Sequence, residues 1–234
     1  MQQICYLFTR GQQVNQGATR LLLIRHAHVD SGENGAVMCG WLDLPLSRKG
    51  QLQLQSFSEH LSAFSEELSA FKPEAVYASS STRARVTAEA LASNWSLPVS
   101  ILPQLREISC GALEGMPVKE VKEHYPQLWT ENALQHNSDF AWPNGESYRN
   151  FRQRVFEALS RIARAHPDAR IPVVTHAGVI SQVVGAMNNL SPAVWEKYRP
   201  GPFTATEVIW NGAPLDLISF NVAGWWRESR PHAG

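Results

Sequence analysis

Leu21-Leu22-Leu23-Ile24-Arg25-His26-Ala27 decides the fold: an aliphatic run that stops abruptly at an arginine and a histidine. Four such residues in succession read as a strand covered on both faces, as in the centre of a parallel sheet, where neither face has to be polar. A strand of this kind delivers the residues that follow it to the carboxyl edge of the sheet, where open α/β sheets bind ligands. A basic residue also closes many strands simply by returning the chain to solvent. The pair acquires chemical meaning only if other parts of the chain answer it.

Several parts do. Ala75–Ala78 reads as a second strand, followed by four hydroxyl residues, Ser79 to Thr82, and a helix from Arg83 to Ser93. Pro172–Thr175 is another apolar strand, followed by His176-Ala177-Gly178 and an apolar helix, Val179–Met187. Val99–Ile101 is a further strand candidate, with Glu107 in the loop soon after it. Ser47 is placed as the N-cap of a helix whose stripe is Leu54, Phe57, Leu61, Phe64 and Leu68. Ser147 opens another, with Phe151, Val155, Leu159 and Ile162 on one face, ending before Pro167. The segment Glu107–Pro143 reads as irregular, with a short helix near Val118–Tyr125. Two late strands, around Thr206–Trp210 and Leu215–Phe220, complete the pattern. Strands alternating with helices predict an α/β fold, a three-layer α/β/α sandwich around a mainly parallel central sheet.

Composition narrows the function. At 234 residues the chain suits one α/β domain, or one carrying an insertion. Lys plus Arg and Asp plus Glu both number 21, so no global field favours nucleic acid or an anionic membrane, and neither is expected as a partner. Any anion has to be held by local charge. Cys5, Cys39 and Cys110 are odd in number and lack metal-ligand spacing, which points to reduced thiols in a cytoplasmic protein. The opening Met1–Gly17 has no signal-peptide pattern, and no apolar run reaches 18 residues, so no membrane span is expected.

Parallel strands place Arg25, His26, Arg83 and His176 on one edge of the sheet. Two arginines and two histidines converging there make a compact cationic pocket. Arginine offers planar, permanently charged donors suited to a phosphate dianion. A neutral imidazole can attack phosphorus and divide the reaction into two steps. A carboxyl group beside it can give a proton to the leaving oxygen and then take one from water.

At this point the chain resembles the histidine phosphatase superfamily, the phosphoglycerate-mutase-like proteins. Its Arg-His-Gly signature appears as Arg25-His26-Ala27, with Ala in the third place. Gly40-Trp41-Leu42-Asp43-Leu44-Pro45-Leu46-Ser47 resembles its Gly-Trp-x-Asp loop. Ser79 with Arg83-Ala84-Arg85-Val86-Thr87-Ala88 matches another element, with Ser80-Ser81 replacing Pro-Leu. Leu105-Arg106-Glu107 with Gly111 and Glu114-Gly115, then Gly145-Glu146-Ser147, then Thr175-His176-Ala177-Gly178 follow in family order. The resemblance implies a phosphoglycerate-mutase-like fold with His26 as the phosphorylated nucleophile. It makes Arg25, Arg83 and His176 the clamp on the phosphoryl group and Glu107 the general acid and base. Cys39 and Gly40 are implied as loop backbone facing the substrate, and Asn34 as a nearby polar contact. It implies no metal or other cofactor, and a small phosphate monoester as substrate.

Alternatives stand beside these roles. Glu114 is a rival acid, while Glu146 caps the helix at Ser147 or braces a basic residue. His28, His60, His124, His136, His166 and His232 read as surface or structural. Between family activities, a phosphatase is favoured over a cofactor-dependent phosphoglycerate mutase. The interval from Glu107 to Gly145 is short, and Trp129-Thr130-Glu131-Asn132 stands where mutases carry paired arginines. A non-catalytic phospho-ligand module is the third reading, disfavoured because the core residues are all present. Trp129, Phe140 and Trp142 in the covering segment point to an apolar or aromatic leaving group, with a nucleoside phosphate such as α-ribazole phosphate or a phosphoprotein as other options. The domain division is an N-terminal extension, 1–19, and one domain, 20–234, with a lid-like insertion around 108–145. The extension is a tail, an added edge strand through Ile4–Phe8, or a dimer contact; the oligomeric state is left open.

Overall fold

The aliphatic run forms the strand β1, Thr19–Arg25, and its side chains divide between two cores. Leu21 and Leu23 pack on one face of the sheet, Leu22 and Ile24 on the other. Period-two alternation of a strand therefore accounts for the lack of any polar residue between them. The structure, a computed structural model, describes residues 17–30, 37–63 and 73–224. The expectations that rest on Ile4–Phe8, Asn34, Phe64, Leu68 and His232 lie outside the described residues.

After β1 come α1 (Arg48–Ala63), β2 (Val76–Ala78), α2 (Thr82–Ala92) and β3 (Val99–Ile101). Then follow α3 (Val118–His124), α4 (Pro126–Leu134) and α5 (Tyr148–Ala165). The chain continues through β4 (Arg170–Thr175), α6 (Ala177–Met187), β5 (Thr204–Trp210) and β6 (Pro214–Ala223). The six strands form one sheet in the order β3-β2-β4-β1-β5-β6. β3, β2, β4 and β1 pair in parallel, and β5 runs antiparallel to both β1 and β6. One face is covered by α5 and α6 through Phe151, Val155, Leu159, Val179 and Val183; α1 and α2 cover the other through Leu54, Phe57, Ala84, Ala88 and Leu91. This is the expected α/β/α sandwich with a mixed, mainly parallel sheet.

Both expected caps are present. Ser47 Oγ accepts from Gly50 N–H at 3.1 Å, and Ser147 Oγ from Asn150 N–H at 3.2 Å. The segment read as irregular from Glu107 to Pro143 is a correction: besides the expected short helix α3 it holds a second one, α4, opened by Pro126. Under these helices Cys110, Leu113, Val121, Phe140, Trp142 and Tyr148 form a third, smaller core. At the amino-terminal ends of β1 and β4, away from the edge where ligands are expected, Arg20 and Arg170 both pair with buried Glu207, at 3.0 and 2.8 Å.

Candidate active site

Three adjacent parallel strands, β2, β4 and β1, bring the chemistry together. Register pairs Arg25 with Thr175, and His26 N–H donates to the Thr175 carbonyl at 3.0 Å. The next residues on the two chains are His26 and His176. Strands about 4.8 Å apart leave their rings as neighbours; the centroids lie 5.2 Å apart at 65°.

The backbone selects the nitrogen with which His26 can react. His26 Nδ1 lies 2.7 Å from the Ala27 carbonyl oxygen. A carbonyl only accepts, so Nδ1 carries the hydrogen and Nε2 keeps its lone pair. Burial, then the charge of Arg83, lowers the His26 pKa from 6.5 to about 3, which keeps the ring neutral. His176 is held by hydroxyls: its Nε2 lies 2.7 Å from Ser79 Oγ and 3.4 Å from Ser81 Oγ. Its Nδ1 faces the Arg83 guanidinium at 3.5 Å. Burial first, then His26, Arg83 and Arg25, push its pKa well below the usual histidine value.

Both arginines are anchored by loop carbonyls. Arg83, 2% exposed, donates to Leu42 O at 2.6 Å and Gly40 O at 2.9 Å. That loop is fastened in turn by Asp43, whose carboxylate accepts from Thr82 N–H and Oγ1 at 2.8 and 2.7 Å. Arg25 donates to Pro200 O at 2.6 Å. Its pKa falls to about 10, through burial first and the nearby Arg199 charge second. The Nε–H groups of Arg25 and Arg83 are buried and have no hydrogen-bond partner among the described residues. Unsatisfied buried donors on two neighbouring cations suit an anion with several oxygens.

Glu107 approaches from the loop after β3. Its Oε2 accepts from Gly178 N–H at 2.9 Å, in the first turn of α6, and its Oε1 from Ile108 N–H at 3.0 Å. The loop is clamped by Arg154, which donates to Gln104 O at 2.6 Å, Arg106 O at 3.0 Å and Glu107 O at 3.3 Å. Arg154 is fixed by two bonds to Glu146, at 2.6 and 2.8 Å. Of the two readings of Glu146, the structure takes the second: it braces a basic residue, and Ser147 makes the cap. The rival acid Glu114 is engaged elsewhere, accepting from the amides of Trp41, Leu42 and Cys110 at 2.7, 3.0 and 2.7 Å.

A cavity of about 230 Å³ collects Arg25, His26, Arg83, Glu107 and His176, with Cys39, His28 and Arg199 also in its wall. His28, read as structural, thus reaches the cavity while its Nδ1 bonds Ser47 Oγ at 2.8 Å. A second cavity adjoins it, sharing Val37, Cys39, Glu107 and Arg199. Gly40, Trp129 and Trp142 line this one, whereas Phe140 supports Trp142 from behind in an edge-to-face contact at 5.0 Å. A Cβ on Gly40 would overlap the Ile108 carbonyl, so glycine there lets the loop lie against the Glu107 segment. The sequence reading did not assign Ser79, Arg154, Asn132, Trp195 or Arg199 to the site. Of these only Ser79, first of a hydroxyl run at a strand end, carried a usable signal.

Among the described residues no group of three or more His, Cys, Asp or Glu is arranged to hold a metal ion. No described helix is long and apolar enough to cross a membrane.

A neutral buried imidazole with a free Nε2, two arginines with spare donors and a carboxyl group on one edge of an α/β sheet define an enzyme of phosphoryl transfer. The chain belongs to the histidine phosphatase superfamily (branch 1), whose family model matches residues 21–223. With the residues of the family's site in place, it is a hydrolase. It is 30% identical to the metal-independent phosphoserine phosphatase of Arabidopsis thaliana, over 77% of this chain and 74% of that one. It is 28% identical to the adenosylcobalamin/alpha-ribazole phosphatase of Escherichia coli, over 88% and 98%. Among solved structures, YhfR of Bacillus stearothermophilus superposes with a TM-score of 0.74 at 25% identity, covering 88% of this chain and 99% of that one.

Proposed function

We propose that the protein hydrolyses small phosphate monoesters through a phosphohistidine on His26. The observation that carries the reading is the bond from His26 Nδ1 to the Ala27 carbonyl, which leaves Nε2 as the free nucleophile inside a wall of cations. Nε2 attacks phosphorus, the ester P–O bond breaks, and Glu107 gives its proton to the leaving oxygen. Water then attacks the phosphohistidine, Glu107 takes a proton from it, the P–N bond breaks and inorganic phosphate departs. Arg25, Arg83 and His176 hold the equatorial oxygens and stabilise the charge that spreads over them in each transition state. The two arginines supply the charge a metal ion supplies in other phosphoryl-transfer sites, so the reaction is expected to proceed in EDTA.

The same reading takes residues 108–145 as a lid on the domain that begins near residue 20, and Cys39 and Gly40 as substrate-side backbone. Water is favoured over a second substrate oxygen as acceptor because the neighbouring cavity has aromatic walls, and both relatives named above carry phosphatase names. Cys39 and Cys110 are free thiols, which suits a reducing compartment such as the cytoplasm.

The test is acid-labile phosphate trapped on the wild type during turnover of 4-nitrophenyl phosphate, run beside His26→Ala. Label on the wild type alone supports the assignment. Turnover by His26→Ala at the wild-type rate overturns it.

A further inference from the structure

The second cavity is not needed for phosphoryl transfer, and its chemistry is one-sided. Its walls are Trp129, Trp142, Tyr148 and Trp195, with the Trp129 and Trp142 rings 6.5 Å apart and tilted by 32°. It measures about 240 Å³. A cavity of about 150 Å³ is enough for benzene, so this one has room for a substituted ring. It meets the phosphate cavity at Glu107, the residue assigned to protonate the leaving oxygen. A group esterified to the bound phosphate therefore passes Glu107 into this space.

The polar groups waiting there are donors. Asn132 is buried, and its Oδ1 accepts the Tyr148 hydroxyl at 2.6 Å, which leaves the amide N–H groups as its free function. Arg199 lies where the two cavities join, its guanidinium 5.4 Å from the Trp195 ring centre. Among the described residues it makes no hydrogen bond or ion pair. Apart from Glu107, whose proton is committed to the ester oxygen, no carboxylate among the described residues lines this cavity. Apolar walls, an amide donor and an unneutralised cation fit a flat body that carries an anionic acceptor.

We propose, on the basis of the phosphatase reading above, that this cavity is a leaving-group subsite for planar phosphomonoesters bearing a carboxylate, with Asn132 and Arg199 as the groups that recognise it. Arg199 is exposed, so solvent screens part of its pull. Asn132 acts in a desolvated wall, where a missing acceptor is costly.

A matched pair reads the preference: 4-carboxyphenyl phosphate and 4-carbamoylphenyl phosphate, alike in shape and differing in charge. In wild type kcat/KM for the carboxylate is expected to exceed that for the amide by about 10- to 100-fold. Arg199→Gln brings the ratio toward one, whatever it does to the two absolute values. Asn132→Asp, isosteric but anionic, reverses it. Calorimetric binding of the same two esters to His26→Ala repeats the comparison without turnover. A wild-type ratio of one or less, or a ratio that neither substitution moves, overturns the subsite. If binding shows the preference while wild type hydrolyses neither ester, the phosphatase reading fails and the subsite stands.

Discussion

Glu107 lies so close to Gly178 that any side chain at 178 would occupy the place of its carboxylate: a Cβ there overlaps Oε1. The backbone at 178 is not in the left-handed region, so glycine is required for space rather than for conformational freedom. Gly178→Ala should therefore fold and still displace the proposed acid. Phosphohistidine formation from an alkyl phosphate, whose leaving oxygen needs a proton, is expected to slow by about 10²- to 10⁴-fold. Formation from 4-nitrophenyl phosphate, whose leaving group departs as the anion, should be largely spared, and Glu107→Gln should show the same division. Equal slowing of both esters in single-turnover measurements would remove Glu107 from the role of acid.

Arg154 acts on the same carboxylate at one remove. It holds three carbonyls of the segment Gln104–Glu107 and is itself held by Glu146. Arg154→Met should lower kcat for alkyl phosphates much more than it raises KM. Breaking this half-buried pair and its carbonyl bonds also costs stability, on the order of 1–3 kcal/mol, visible as a lower urea midpoint. Arg154→Lys keeps the charge but not the planar fork, so it should restore little of kcat. Rescue by lysine would mean that charge, not the clamp, is what Glu107 needs.

The sheet and the catalytic edge were legible because burial on both faces leaves a mark in β1 and β4, and because each strand hands its chemistry to the next one or two residues. His26 and His176 follow this rule, whereas Arg83 comes five residues after β2, in the first turn of the helix that the hydroxyl run opens. The helix α4 escaped because its inward stripe is interrupted by Asn132, whose burial depends on Tyr148, 16 residues away. Arg199 escaped for a related reason. It stands in a loop beside Pro200 with no periodicity, and only the folded chain shows that Pro200 anchors Arg25 while Arg199 borders both cavities.

The two histidines should make the fold acid-sensitive. His26 has a folded pKa of about 3 against 6.5 for the ordinary group, and His176 is shifted in the same direction. As pH falls below 6.5 the unfolded chain takes up protons that the folded chain refuses, so stability falls with pH down to about 3. His26 contributes about 1.4 kcal/mol per pH unit inside that window, and His176 acts in the same direction. Urea unfolding at pH 7 and pH 5 should show the wild type losing more stability than His26→Asn, by about 2 kcal/mol. An equal loss in the two proteins would mean that His26 is not a buried neutral ring.

Phosphate binding should reverse the electrostatics that His176 experiences. In the free site its proton is opposed by burial and by four neighbouring groups, His26, Arg83, Arg25 and Arg154. A bound phosphate dianion offsets the positive charge and gives Nδ1 an oxygen to which it can donate, so His176 should take up a proton as the ligand binds. The uptake is measurable by titrating inorganic phosphate at pH 8, where the ligand is already the dianion, in two buffers of different ionisation enthalpy. A difference in apparent enthalpy between them gives the number of protons bound. The uptake should be abolished in His176→Asn and retained in Ser81→Ala, whose hydroxyl is the more distant of the two at 3.4 Å. No difference between buffers for the wild type would mean that His176 holds the phosphoryl oxygens without charge, leaving the two arginines as the whole of the clamp.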